Sequence, residues 1–395
     1  MAKDLFPSPH PLTPPHEEKD RLSWLRLLRS RRVGPATFYR LMAEHGDAGT
    51  ALAALPDVAK AAGVTGYEPC PENIAIAELK AAKLAGAVMV CAGDVHYPAG
   101  LAEMADAPPL FWAIGELSLL ARPMIALVGA RNASSLGTRM ARKLAGGLSD
   151  NGIVVVSGLA RGIDTCAHLA ALENGTIAVI AGGVDVVYPA ENAVLAQEIA
   201  EKGLRISEQP MGLQPYARHF PQRNRIISGL SQAVVVVEAA ARSGSLITAR
   251  NALDQGRDVL AVPGHPIDAR ASGCNMLIRD GAVLVRGVDD VMEVLASRCV
   301  PAKPVAVVSQ QPPETTRSLK DISGLHTQIL SRLGPSPLAE DQLIRDLGVP
   351  ANKVASELVC LELDGKISRQ PGGLLSSKFV GPYHMHKIRL CRKFG

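Results

Sequence analysis

Seven short apolar runs between residues 125 and 285 constrain the fold of this chain most strongly. Each run is rich in β-branched residues and is bounded by glycine or charge, which is typical of strands buried on both faces. Amphipathic helical patterns separate the runs, and this alternation indicates a doubly wound parallel sheet. We therefore predict an α/β, Rossmann-like domain over residues 87–298. The predicted strands are 125–128, 153–156, 177–181, 204–207, 233–237, 259–262 and 282–285.

The sequence before this domain predicts a helical unit. Residues 1–20 are rich in proline and polar groups, so we expect them to be disordered. Residues 21–86 are alanine-rich, and Phe38, Leu41 and Met42 recur at helical spacing after a Gly-Pro pair. Short helices joined by Val-Gly turns favour a helix-hairpin-helix or sterile-alpha-motif-like bundle. Such a bundle either holds a DNA backbone or serves only as a packing unit, and the sequence leaves both open.

The sequence after the α/β domain predicts a linker and a second small domain. Residues 299–322 contain several prolines, which favours a linker. Residues 323–380 show three helical patterns followed by a glycine-tipped hairpin, an order typical of a winged helix, and residues 381–395 form a basic tail. A helix that enters the major groove is usually basic or neutral, whereas acidic residues outnumber lysine in the third helix. We therefore expect this domain to contact protein rather than to read DNA.

The composition argues against several classes of protein. Only 4% of the residues are aromatic, which disfavours an RNA reader that stacks many bases. The 7 cysteines are scattered without a CxxC pair, which argues against a disulfide framework and a zinc site. The N-terminus lacks a signal-peptide core, and no apolar run is long enough to span a bilayer. We expect a soluble, cytoplasmic protein without membrane insertion.

Glycine, arginine and hydroxyl residues follow several of the predicted strands. Ligands of open parallel sheets bind at the carboxyl ends of the strands, where glycine lets the backbone approach an oxyanion and arginine adds a charged fork. Each such glycine also has a plain structural explanation in a tight turn, but several loops meeting at one edge favour an anion-binding cleft. The residues concerned are Gly129, Ala130, Arg131, Asn132, Ser157, Gly158, Ser243, Gly244 and Ser245.

A basic segment lies between the fourth and fifth predicted strands. Arg218, Arg223 and Arg225 occur there with no acidic residue among them. They form either an ordinary solvated face or part of the anion-binding cleft. Because several arginines and glycines are predicted at one edge of the sheet, the cleft is the interpretation we adopt.

The anion is not predicted to be a nucleotide cofactor. The loop after the first strand lacks the second and third glycines of the GxGxxG fingerprint, and GxxxxGK[ST] is absent. Motifs of common hydrolases are absent as well. Asp164 and His168 lie one helical turn apart and form either an acid–base pair or two structural contacts; we adopt the structural interpretation. Glu238 is a lone carboxylate after a strand without an obvious nucleophile. We expect no cofactor, no metal and no enzymatic activity.

Seven motifs in this order resemble those of the DprA/Smf family, the DNA-processing protein A of bacteria. They cover roughly residues 90–297 and read VGARNAS, VVSGLARGIDTCAH, AVIAGGVDVVYPAEN, SEQP, FPQRNRIISGLS, VVVVEAAARSGSLITARNALDQGRDVLAVPG and GCNMLIRDGA. The resemblance implies a Rossmann-like protein that binds single-stranded DNA during natural transformation, protects the incoming strand and loads the RecA recombinase onto it. It also implies a homodimer formed through the Rossmann-like domain.

The resemblance further implies which residues contact DNA. One departure is Asn132, where the family often has a basic residue after the arginine. Phe220 offers a surface on which a base can stack. The implied residues are Gly129, Ala130 and Arg131 in the first loop, Phe220, Arg223, Asn224 and Arg225 in the basic segment, and Ser243, Gly244, Ser245 and Thr248 after the fifth strand.

Two alternatives remain open at this point. LOG-type nucleotide phosphoribohydrolases share the sheet and use a PGGxGTxxE motif, but the PGG at residues 371–373 lies in the predicted winged-helix hairpin without GTxxE. A winged-helix transcription regulator is the other alternative, and the acidic third helix argues against it.

Overall fold

The computed structural model describes residues 14–15, 17–299, 319–333, 337–349, 354–355, 357–358, 361–362, 364–370 and 374–377. These residues belong to two compact units that divide at residue 300. Most of the segment 1–20, which we predicted to be disordered, and all of the predicted basic tail 381–395 lie outside the described residues.

Four helices form the N-terminal part, as the helical patterns predicted. Proline at the first position of the second helix is favourable because its missing N–H would have no partner there. Trp24 and Phe38 pack edge to face in the bundle core, with ring centroids 5.1 Å apart. The first helix begins at Glu18, inside the segment predicted to be disordered, because Trp24, Leu25 and Leu27 bury its apolar face. The helices are α1 Glu18–Arg29, α2 Pro35–His45, α3 Ala48–Ala61 and α4 Glu72–Leu84.

A nine-stranded sheet forms the centre of the first unit, and all seven predicted runs are strands in it. The order of the strands is β1-β2-β6-β5-β4-β3-β7-β8-β9. The strands are β1 Val88–Cys91, β2 Leu110–Gly115, β3 Met124–Gly129, β4 Val154–Ser157, β5 Thr176–Val179, β6 Leu204–Ser207, β7 Ala233–Glu238, β8 Asp258–Ala261 and β9 Val283–Leu284.

The sheet is parallel over most of its width, as predicted, and differs only at one end. Strands β3 to β9 are parallel, but β1 pairs antiparallel with β2, and β2 pairs antiparallel with β6. Antiparallel neighbours need no long helical crossover, so the strand–helix alternation used for the prediction does not reveal them. The sheet is therefore mixed and mostly parallel.

Both faces of the sheet are buried against helices. Along β3, Ala126 and Val128 belong to one apolar core, and Ile125 and Leu127 belong to the core on the other face. This explains why the strands read as continuous apolar runs rather than as alternating patterns. The helices are α5 Ala99–Ala102, α6 Ser135–Asp150, α7 Ile163–Ala171, α8 Ala193–Lys202, α9 His219–Leu230, α10 Ser245–Asp254, α11 Ser272–Arg279 and α12 Val288–Cys299.

The chain reverses its direction of progress across the sheet at β3. After β3 it proceeds outward through β4, β5 and β6, and it then returns to place β7 on the other side of β3. The loops after β3 and β7 consequently diverge, which opens a crevice at the carboxyl ends of these strands. Within the described part of the chain, no helix has both the length and the apolar character needed to cross a membrane.

The second unit has the elements of a winged helix. Its strands form a small antiparallel sheet in the order β10-β12-β11. Residues 354–355, 357–358 and 361–362 of the third predicted helix are helical, and its other residues lie outside the described ones. The first helix begins at Leu319, inside the segment 299–322 predicted to be a linker, where the chain no longer contains proline. The elements are α13 Leu319–Arg332, β10 Leu338–Ala339, α14 Glu340–Leu347, β11 Ile367–Gln370 and β12 Leu374–Ser377.

Candidate functional site

A cleft of about 980 Å³ lies at the crevice between β3 and β7. The loops after these two strands and the first turns of α9 and α10 line it. Eleven of the fourteen residues that we predicted from the sequence are brought together in this cleft. They are Gly129, Ala130, Arg131, Asn132, Phe220, Arg223, Asn224, Ser243, Gly244, Ser245 and Thr248.

The loop after β3 is packed closely against α7 and β7. A Cβ atom on Gly129 would lie 2.6 Å from the Ile163 side chain, so only glycine fits at this position. The Ala130 N–H donates a 2.7 Å hydrogen bond to the Glu238 carbonyl oxygen. Arg131 and Asn132 follow and are exposed. The packed backbone therefore presents the Arg131 side chain to the cleft from a rigid base.

Two aromatic rings and one guanidinium group contact one another at the cleft wall and form a cluster, Arg131–Phe220–Tyr188. The Arg131 guanidinium carbon lies 5.2 Å from the centroid of the Phe220 ring, within the range of a cation–π contact. The Tyr188 ring contacts the Phe220 ring with centroids 5.8 Å apart and planes inclined at 55°, and Tyr188 is 50% exposed. Sequence reasoning missed Tyr188, although it follows β5 at the same edge of the sheet.

The N-terminal end of α10 forms the opposite side of the cleft. The Ser243 and Ser245 hydroxyls lie 2.7 Å apart, and the Asn224 amide donates to the Gly244 carbonyl oxygen at 3.5 Å. The N–H groups of Leu246 and Ile247 donate to the carbonyl oxygens of Ser243 and Gly244, but the dipole of the helix still favours an anion at this end. Exposed Arg242 precedes this end, and no described residue forms a hydrogen bond or ion pair with its side chain. This side of the cleft is therefore suited to an anionic ligand.

Arg223 forms the cleft floor and is only 6% exposed. Its guanidinium donates a 2.7 Å hydrogen bond to the Val179 carbonyl oxygen and covers Gly158, where a Cβ atom would clash with it. Burial lowers the pKa of Arg223 to about 10, and the nearby Asp164 carboxylate opposes this shift. Burial raises the pKa of Asp164, although Arg223 and the N–H groups of Gly158 and Ala160 favour its charged form. Arg223 and Asp164 therefore influence each other electrostatically beneath the cleft.

Three predicted residues do not line the cleft. The Ser157 hydroxyl is buried and donates a 2.6 Å hydrogen bond to the Leu127 carbonyl oxygen, and Gly158 lies beneath Arg223. Arg225 points to another part of the molecule, where it forms ion pairs with Glu208 and, at 3.3 Å, with Asp106.

The candidate catalytic residues have structural contacts. His168 is fully buried, and its Nδ1 lies 2.8 Å from the Thr176 hydroxyl. Burial, assisted by Arg223, lowers the pKa of His168 to about 3. Glu238 accepts a 3.0 Å hydrogen bond from the Ser134 N–H and a further one from the Ser134 hydroxyl, and Ser134 caps α6. Among the described residues, no three metal-ligating side chains come together.

Family models match most of the chain. The model described as "DNA recombination-mediator protein A" matches residues 88–296, and those described as "DprA-like N-terminal HHH domain" and "DprA winged helix domain" match residues 18–81 and 310–373. The DNA processing protein DprA of Streptococcus pneumoniae is 50% identical over 201 residues, which cover 50% of this chain and 71% of that protein. Protein Smf of Escherichia coli is 39% identical over 290 residues, which cover 72% and 76%.

Solved structures give the same result. The X-ray structure of DprA from Streptococcus pneumoniae matches with a TM-score of 0.54 and 38% identity, covering 66% of this chain and 98% of that one. A structure of DprA from Helicobacter pylori, described as showing a unique single-stranded DNA binding mode, matches with a TM-score of 0.50 and 28% identity, covering 54% and 96%. One family model covers more than half of the sequence, and the pneumococcal relative is 50% identical over 201 aligned residues. The chain therefore belongs to the DprA/Smf family of DNA-processing proteins.

Proposed function

We propose that the protein binds single-stranded DNA in the cleft between β3 and β7. The observation that carries this proposal is the Arg131–Phe220–Tyr188 cluster, which lines the same cleft as the N-terminal end of α10. Aromatic rings combined with cations suit a strand whose bases are unstacked, because each base has a face that can stack whatever its identity. The relative from Helicobacter pylori, whose structure is described by its single-stranded DNA binding mode, supports this choice of ligand.

Each side of the cleft has its own part in this proposal. Backbone phosphates bind the loop of Gly129 to Arg131 and the serines at Ser243 and Ser245, and bases stack on Phe220 and Tyr188. Arg223 acts from below, because it is buried and already bonded to the Val179 carbonyl oxygen. Phosphate contacts position a strand but carry no sequence information, so binding in the cleft is insensitive to sequence.

The protein acts, on this proposal, by binding rather than by catalysis. Glu238 holds Ser134 outside the cleft lining, and His168 is buried on Thr176, so neither is placed to attack a substrate in the cleft. We further propose that it protects incoming DNA in the cytoplasm during natural transformation and loads RecA onto it. The description of its family as a recombination mediator supports this role.

We also propose that the Rossmann-like domain forms a homodimer. The edge strand β9 exposes Val283 and Leu284, 42% and 41% respectively, and Met276 of α11 is exposed as well. An exposed apolar sheet edge favours pairing with another chain, and two linked clefts raise the apparent affinity for a long strand. Sedimentation of the full chain and of Leu284→Lys measures this association: a dimer that dissociates in the variant supports it, and a wild-type monomer refutes it.

Replacing Arg131 tests the function directly. In Arg131→Ala, the affinity for single-stranded oligonucleotides should fall about tenfold for all sequences, as expected for a lost charge-assisted contact. The salt dependence, log K against log[salt], should flatten by about 0.7 for each lost phosphate contact. Fluorescence anisotropy across a salt series measures both quantities.

Arg142→Ala is the matched control for this experiment. Arg142 is exposed on α6 and lies outside the cleft. Its replacement by alanine removes the same charge as Arg131→Ala does. Equal behaviour of the two variants would show that Arg131 acts only through net charge and would refute the cleft as the binding site.

A further inference from the structure

A second cavity lies on the other side of the β3–α6 loop. Its volume is about 570 Å³, and it lies between α6 and the loop that follows β8. Arg270 of that same loop lines the DNA-binding cleft, so the two cavities are neighbours. The lining residues are Ser134, Leu136, Gly137, Arg139, Met140, Lys143, Val237, Glu238, Val262, Pro263, Gly264, His265, Asp268, Ala271 and Cys274.

The cavity combines apolar side chains with two cations at its rim, and the one carboxylate of the facing loop, Asp268, is paired with Arg270. Leu136 and Met140 form its helix side, and Leu136 is 70% exposed, which is unusual for a side chain of this size. Arg139 and Lys143 lie on the same face of α6 at helical spacing and are exposed. Within the described ranges, neither cation has a hydrogen-bond or ion-pair partner for its side chain. The rim is therefore ready to receive an anion.

A buried carboxylate lies in the interior of the cavity. Glu238 is 8% exposed, and Gly137 lets it approach α6, since a Cβ atom there would lie 2.5 Å from its Oε2. Ser134 donates to it through one N–H and one hydroxyl. A carboxylate accepts about four hydrogen bonds, so Glu238 has capacity left for a donor that enters the cavity.

We propose that this cavity binds a nucleotide. Arg139 and Lys143 bind its phosphate, the apolar interior takes its base, and Glu238 accepts a hydrogen bond from an amino group of that base. The nucleotide can be the next residue of a DNA strand that leaves the cleft, and in that case the inference rests on the proposed function. A free mononucleotide has the same chemistry and is the other source.

The buried carboxylate distinguishes this ligand from an acidic peptide. An acidic side chain would meet Glu238 with like charge in a poorly solvated interior, which is unfavourable. The amino groups of cytosine and adenine instead supply the donor that a carboxylate needs, as in the pairing of Glu with cytosine N4. Thymine offers carbonyl oxygens at the equivalent position. The cavity therefore selects bases that carry an amino group.

Homopolymer oligonucleotides of about 20 nucleotides, long enough to extend past one binding site, test this selection on the full-length protein. We expect wild-type protein to bind oligo(dC) about fivefold to tenfold more tightly than oligo(dT), the lower part of the range for one good base contact. Glu238→Gln should abolish this ratio. Arg139→Ala with Lys143→Ala should weaken both oligonucleotides, whereas Arg142→Ala on the same helix should not.

Ser134→Ala separates recognition from support of the loop. This variant removes the hydroxyl contact to Glu238 but keeps the carboxylate. If Glu238 had only a structural role, the variant would change the affinity for both oligonucleotides equally. Retention of the dC/dT ratio in Ser134→Ala, together with its loss in Glu238→Gln, supports the proposal. Loss of the ratio in both variants overturns the assignment of base recognition to Glu238.

Calorimetry of deoxycytidine monophosphate binding distinguishes a free mononucleotide from a strand as the ligand. It also separates a failure of this proposal from a failure of the proposed function. If no strand binds, the proposed function fails, while saturable binding of the mononucleotide that is lost in the Arg139/Lys143 variant still supports this cavity. Three results together would overturn the proposal: oligo(dC) and oligo(dT) bind with equal affinity, the Arg139/Lys143 variant binds them as Arg142→Ala does, and the mononucleotide does not bind. The cavity is then not a nucleotide site.

Discussion

Arginines occupy two regions of the first unit in opposite ways. At the cleft, Arg131 caps an aromatic ring and Arg242 is exposed without a side-chain partner among the described residues. At the junction of the helical bundle with the sheet, Arg29 donates to both oxygens of Glu78, at 2.8 and 2.9 Å, and Arg225 pairs with Glu208. Arginines of the junction hold the fold together, whereas those of the cleft wall are available for a ligand.

Helix α9 directs one arginine toward each region within three residues, and contacts within the fold hold both of them. Arg223 and Arg225 are about 200° apart around the helix axis, so they face different surroundings. Arg223 reaches the cleft floor and Asp164, and Arg225 reaches Glu208 and Asp106. Substitutions at the two positions should therefore both lower stability, but through different contacts.

Arg223→Ala should have the largest effect on stability. It removes the hydrogen bond to the Val179 carbonyl oxygen and leaves Asp164 buried without the positive charge that favours its ionised form, which together should cost about 4 kcal/mol in the free energy of unfolding at pH 7. Because burial already raises the pKa of Asp164 above its unfolded value, the folded state binds this proton more readily than the unfolded state. Loss of Arg223 raises this pKa further, so the deficit relative to wild type should shrink as the pH falls through it. Urea unfolding at pH 7 and pH 5 measures the difference.

The double variant Arg223→Ala with Asp164→Asn is the control. Without the buried charge, it should regain much of the stability at pH 7, and its deficit should no longer depend on the titration of Asp164. His168 also faces Arg223, but its pKa of about 3 keeps it mostly neutral at both pH values in the wild type. A deficit that stays constant with pH and is not relieved by Asp164→Asn would contradict the coupling.

Arg225→Ala should have a smaller effect on stability and none on the salt dependence of DNA binding. Glu208 would lose its principal partner, but the Arg29 guanidinium, which also contacts the Glu208 carbonyl oxygen, still favours its charge. We therefore expect a loss of about 2 to 3 kcal/mol. Burial raises the pKa of Glu208, so this deficit should also shrink at lower pH. A salt slope flattened as in Arg131→Ala would place Arg225 on the strand after all.

The strand pattern of the parallel part could be predicted because each strand is buried on both faces. Residues such as Ile125 to Val128 must all be apolar when helices cover both sides of the sheet, and this leaves a readable run. Strands β1 and β2 could not be predicted from that pattern. They pair antiparallel and are joined by a turn with the short helix α5, so no crossover helix separates them.

The positions of site residues on loops could be predicted better than the directions of side chains on helices. Gly129 ends β3 and Ala130 to Asn132 follow it directly, so the position of the strand end determines where they lie. Arg223 and Arg225 are chemically equal in the sequence, and only the orientation of α9 against the sheet separates them. Tyr188 was missed because its ring reaches Phe220 through the path of a loop, which no periodic pattern encodes.

Loss of stacking at the cleft should have the smallest effect on DNA affinity. Unlike the loss of an arginine, it should leave the salt dependence unchanged. Phe220→Leu and Tyr188→Leu each remove a ring but no charge, so each should cost about 1 kcal/mol in affinity, near fivefold, with an unchanged salt slope. Tyr188→Phe keeps the ring and should bind as wild type. Tyr216→Leu is the matched control, because Tyr216 is an exposed tyrosine of the same segment that does not line the cleft. Anisotropy titrations at several salt concentrations distinguish the cases: a flattened slope in Phe220→Leu would mean that the ring acts by holding Arg131 on a phosphate, and equal losses in Tyr216→Leu would refute a stacking site confined to the cleft.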